Sequence, residues 1–245
     1  MNALASPEVG KFVDEHFVAA FQKVGTFVVN NGQKQGGNVA TYFCAPDGRV
    51  LHVVAGPVDA STFLREAQWV VRSAEKAIDE SQKTGKQFKV LMREYHAAKL
   101  REESGLSVEP VTFDYVPPDD SSALTYRDPT GRPLAPVLPP PPVEGPDVTL
   151  GAREFDARQA NVAKAPGAAM VLDKAGRRCG VLGNQGRADM LMAAHAMQPI
   201  EKVYGSVFEG ILGEKVSTQP VQVITPFSWR PEGKRGTLLN SKSPR

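Results

Sequence analysis

Only two cysteines, Cys44 and Cys179, occur in 245 residues, and they stand far apart in the chain. No CxxC pair exists, and a disulfide-dense secreted scaffold is excluded. Charge of one sign is equally scarce: 29 basic and 27 acidic side chains leave a formal net charge of +2. Such a weak field does not gather a polyanion, so nucleic acid is not an expected partner. No stretch approaches the roughly twenty consecutive apolar residues that cross a bilayer. The opening MNALASPEVGKFVDEHFVAA also lacks the basic segment and apolar core of a secretory signal. No membrane partner is expected, and a cytoplasmic location is expected if Met1 is the true start.

What is present suffices for a core, since 41% of the residues are hydrophobic. Ser6-Pro7-Glu8 is a helix start, with Ser6 as cap, Pro7 in the first turn and Glu8 at the positive end. Val9, Phe12, Val13, Phe17, Ala20, Phe21 and Val24 recur at helical spacing, which predicts one apolar stripe buried against a sheet and ended by Gly25. Thr26 to Val29 is a short β-favouring run, followed by a polar, glycine-rich connection over residues 30–38. Two β-prone runs then flank a turn, VATYFC-APDG-RVLHVV, and predict antiparallel pairing of Val39–Cys44 with Arg49–Val54. Asp59 is placed to cap a helix carrying Phe63, Leu64, Ala67, Val70, Val71 and Ala74, with Trp69 at its border. A further helix is expected over about 87–101.

Periodicity then fades. VPPDD, DPTGRP and VLPPPPVEGP mark residues 106–150 as a proline-rich linker favouring extended polyproline conformation. A small α+β region is expected over 151–228, with a hairpin of 168–172 against 179–182, helices over 187–197 and 200–212 parted by Pro199, and a last strand at 221–224. It can fold alone or close against the first 105 residues. Residues 229–245 form a basic tail around Trp229.

The order PEVGKFVDEHFVAAF, TFVVNN, VATYFCAPDGRVLHVVAGPVDASTFLREA resembles the later two-thirds of a thioredoxin-like domain over the first 75 residues. The resemblance implies an α/β fold, a partial thioredoxin-like sheet flanked by helices. It also implies descent from thiol–disulfide enzymes. Two departures bear on activity. The place of WCxxC is taken by MNALASPEVG, and the family's cis-proline before the penultimate strand is replaced by Gly36-Gly37-Asn38-Val39. Dithiol exchange needs an attacking thiolate and a resolving thiol, and neither is in place. The resemblance is thus to a degenerate, N-terminally incomplete member, with no cofactor expected.

The candidate residues are few. Cys44, beside a turn, and Cys179, in GRRCG next to Arg177 and Arg178, are candidate reactive thiols, each with a buried structural reading. Gly183, Gly186 and Arg187 open a helix and form a candidate anion site. Asn30, Asn31, Asn38 and Trp229 are candidate interaction residues. His16, His52, His96 and His195 show no HxH or HExxH spacing, so each reads as a surface residue and no metal is expected. The expected function is a non-catalytic protein-interaction or structural module, acting through a partner or self-association at a sheet edge. The enzyme alternative is a thiol–disulfide oxidoreductase using a single cysteine or an upstream WCxxC segment. A nucleic-acid module acting through the tail is the third reading.

Overall fold

Phe17 decides where the first helix stops. In the computed structural model, which describes residues 3–24, 28–30, 33–35, 38–115, 138–216 and 222–224, α1 spans Pro7–His16 and is shorter than the apolar spacing predicts. Phe17 leaves it with extended backbone, φ −137° and ψ 158°, and sets its ring 5.2 Å from that of Phe43. Beyond that contact Val18 and Phe21 are 99% and 88% exposed, and Val24 packs partly against a separate cluster with Phe208 and Val216. Val9 is buried, while Phe12, Val13 and Phe17 pack partly against a cluster containing Phe43, Val54, Phe63 and Val70. Ser6 occupies the cap position, but its side chain makes no capping bond.

β1 (Val28–Asn30) pairs antiparallel with β2 (Gln33–Gln35) and parallel with the last strand, β9 (Gln222–Ile224). The stretch read as a connection therefore contains a strand. β3 (Ala40–Cys44) and β4 (Val50–Ala55) form the expected hairpin, with a register shift at Phe43/Cys44. Asp59 caps α2 (Ala60–Thr84), its Oδ1 accepting from the Thr62 amide at 2.7 Å. α3 (Phe88–Ser104) ends at Gly105, whose φ is +75°. A Cβ at 105 would lie 2.9 Å from the Phe155 ring, so both backbone and space call for glycine.

Within 106–150, β5 (Leu106–Val108) pairs antiparallel with β6 (Val143–Pro146); residues 116–137 lie outside the described residues. α4 (Ala152–Val162) buries none of its residues. β7 (Ala169–Leu172) and β8 (Arg178–Leu182) make the second expected hairpin. α5 (Asn184–His195) follows, and after Pro199 come α6 (Ile200–Gly205) and a π-helical turn, Ser206–Ile211. The fold is thus mixed helix and sheet, with strands in small sheets. Among the described residues, no helix is long and apolar enough to cross a membrane.

The two halves share a core. Val50, Val53 and Ala55 of β4, Leu91 and Met92 of α3, and Ala188, Leu191 and Met192 of α5 belong to one buried cluster. At about 25 cal/mol per Å² of apolar surface removed from water, such side chains supply the main drive for closing the halves together. The outward backbone of β4 is also taken up within the chain. Val50 exchanges bonds with 197–198 (Val50 N to Gln198 O 2.9 Å, Met197 N to Val50 O 2.7 Å). Gln185 of α5 bonds both Ala55 N (3.2 Å) and Val53 O (3.0 Å), and His96 of α3 reaches Leu51 O at 2.9 Å. This edge is satisfied by the chain's own backbone and side chains.

Candidate functional site

β4, α2, α3 and α5 bring five ionisable side chains into the space between them: His52, Glu66, His96, Lys99 and Asp189. All are buried, His52, His96 and Asp189 completely. His52 was expected on a strand surface and His96 on a helix surface, and both expectations are corrected here. His52 alternates onto the covered side of β4, and His96 lies on the side of α3 that meets β4. His195, also expected at the surface, is 2% exposed, with Nε2 2.7 Å from the Pro139 carbonyl. His16 alone of the four is exposed.

The geometry is closely coupled. His52 Nε2 lies 3.1 Å from Glu66 Oε2, and His96 Nδ1 lies 3.1 Å from Asp189 Oδ1. Lys99 Nζ stands 2.7 Å from Asp189 Oδ2 and 3.3 Å from Glu66 Oε2. Half-buried Trp69 packs its ring 4.9 Å from His52 and 4.8 Å from His96. Burial disfavours every charge here, and the partners then decide the outcome. Burial would raise the Glu66 carboxyl, but the His52 hydrogen bond and Lys99 outweigh it and hold the group at about 2. Asp189 likewise resists desolvation through Lys99 and His96 and is held well below the carboxylate range. Desolvation works against Lys99, yet Asp189, Glu103 and Glu66 push it above its ordinary value. His52 goes the other way, because desolvation outweighs its carboxylate neighbours and the ring is held neutral.

The residues singled out along the chain sit elsewhere. The Cys179 thiol is buried and donates to the Val171 carbonyl at 3.4 Å. Burial and then Asp173 push it up, while Arg177 is turned to Asp173 at 2.9 Å. Cys44, half-buried, is also pushed up, by burial and then Asp47. Gly183 opens α5 where a Cβ would meet Ala165 at 2.7 Å. Gly186 packs over Leu182, and Arg187 donates to the carbonyls of Ile211 (3.0 Å) and Gly210 (2.5 Å). Asn38 binds Glu214 through its amide and the Leu212 carbonyl through Nδ2. Asn30 lies in β1. Asn31, Trp229 and the rest of the tail lie outside the described residues.

An open groove of about 570 Å³ runs beside β7, with Pro140, Pro141 and Pro142 on one side. Met170 and Leu172, two apart on the strand and each 51% exposed, face it as an apolar pair. No family model, curated protein or solved structure matches the chain.

Proposed function

We propose that the chain is a non-catalytic, thioredoxin-like interaction module that takes an extended apolar segment of a partner protein in the groove beside β7. One observation carries this reading: the clustered ionisable groups are closed off, whereas the apolar strand face is open. His52, His96 and Asp189 have no exposed surface, and Lys99 has 7%. Catalysis requires groups within reach of substrate, and both thiols are pushed toward the unreactive protonated form. Met170 and Leu172, in contrast, offer the i, i+2 spacing that an added extended segment reads. The β3–β4 hairpin followed directly by capped α2 supports the thioredoxin-like part of the reading.

The test is selection of a displayed random-peptide library on the full chain, with counter-selection on Leu172→Asp, a change at a half-exposed position. Enrichment of peptides with alternating apolar residues, lost on the variant, is the expected result. Failure to enrich any such peptide, or equal binding to the variant, overturns the reading. Sedimentation of the chain alone separates a second copy from a foreign partner: concentration-dependent dimerisation abolished by Leu172→Asp would replace the foreign segment with self-association.

A further inference from the structure

The hydrogen positions around Asp189 do not close. The Leu51 carbonyl only accepts, so His96 Nε2, 2.9 Å away, carries a hydrogen, and its Nδ1 faces Asp189 Oδ1 at 3.1 Å. Glu66 Oε2 likewise accepts from His52 Nε2, which leaves His52 Nδ1 as a lone pair. That atom is buried, has no hydrogen-bond partner, and lies 3.8 Å from the same Asp189 Oδ1. A proton on His96 Nδ1 would satisfy the His96–Asp189 pair but would still leave His52 Nδ1 orphaned. Two imidazoles and a carboxylate thus converge from β4, α3 and α5, and His52 Nδ1 among them is buried without a hydrogen-bond partner.

We propose that His52 Nδ1, His96 Nδ1 and Asp189 Oδ1 hold one divalent first-row metal ion, zinc being the form to test, as a structural staple between the two halves of the chain. One ligand atom from each of the three residues lies within 4.8 Å of those of the other two. Ligands at about 2.1 Å in tetrahedral geometry stand roughly 3.4 Å apart, and the 3.1 Å and 3.8 Å separations to Asp189 bracket that value. Each ring's other nitrogen is already oriented by an acceptor, Glu66 or the Leu51 carbonyl, which is the usual outer-shell support of a metal-bound histidine. Lys99 engages Asp189 through Oδ2, leaving Oδ1 to the ion. The three ligands are buried, and a tetrahedral ion would fill its fourth position with a non-protein ligand such as water. Spacing along the chain shows no metal motif because the three ligands come from three elements separated by 44 and 93 residues.

The experiment is metal analysis of the full chain purified from zinc-supplemented cells, alongside His52→Gln and His96→Gln. Glutamine can keep an amide donor toward Glu66 or Leu51 while deleting the Nδ1 lone pair. The expected result is about one zinc per wild-type chain, falling at least tenfold in each variant. Zinc absorption fine structure on the wild type keeps the test sharp if a variant fails to fold, with a nitrogen and oxygen shell near about 2.0 Å and scattering from two imidazoles expected. Wild-type protein with only trace metal, undiminished zinc in folded variants, or a shell without imidazole overturns the proposal.

Discussion

Replacing Arg93 tests whether one buried side chain ties segment 111–114 to the shared core. Arg93 has no exposed surface, yet its guanidinium makes four bonds in different directions. Nε donates to Ala196 O at 3.1 Å, Nη1 to Val111 O and Phe113 O at 2.9 and 3.0 Å, and Nη2 to Asp114 Oδ1 at 2.5 Å. Arg93→Met removes them all at similar length. The Ala196 carbonyl is the costly loss, because that residue is fully buried; an orphaned buried acceptor costs about 1–3 kcal/mol. The Val111 and Phe113 carbonyls lie nearer the surface and recover water, adding roughly 0.5–1.5 kcal/mol each. Asp114 is 37% exposed and keeps Lys89 at 3.0 Å, so its share is small. The expected destabilisation is about 3 kcal/mol for Arg93→Met and about 2 for Arg93→Lys, since one ammonium cannot reproduce the planar fork. Asp114→Asn should cost under about 1 kcal/mol. Urea unfolding gives these differences, and hydrogen exchange at the Val111 amide, which donates to Ala193 O at 3.1 Å, should speed up in Arg93→Met. A change below about 1 kcal/mol with unaltered exchange at Val111 would refute the reasoning.

Gly105→Ala should cost about 1–3 kcal/mol in the same assay, because it combines strained backbone with a clash at Phe155; a neutral result would show that the end of α3 relaxes freely. Thiol alkylation followed by intact mass should show both cysteines reacting more slowly than free cysteine near pH 8. The sign follows from protonation: a raised thiol pKa leaves less thiolate at a given pH, so the rates keep rising above pH ~8.5, where an ordinary thiol levels off. A plateau at lower pH for either cysteine in single Cys→Ser variants would restore the oxidoreductase reading.

Local signals were legible in the sequence where one segment contains its own instructions. The β3–β4 hairpin follows from alternation around APDG, and α2 from the Asp59 cap. α1 was read too long because its stripe continues past Phe17 in sequence, while the surface that covers it does not. α4, with no buried residue to impose periodicity, left little trace. The polar cluster was hidden because its members meet only when α3 and α5 close over β4. One signal existed: His52 interrupts the apolar run VLHVV, and Asp189 stands just before the apolar MLMAA. A polar residue placed inside an apolar stripe must find a buried partner.

Histidine footprinting with diethylpyrocarbonate tests most directly whether the cluster of His52, Glu66, His96, Lys99 and Asp189 is sealed in the core. Under native conditions the account predicts modification of His16, with His52, His96 and His195 protected until the protein is unfolded. Rapid native modification of His52 or His96 would mean that the cluster opens to solvent and would contradict the non-catalytic reading.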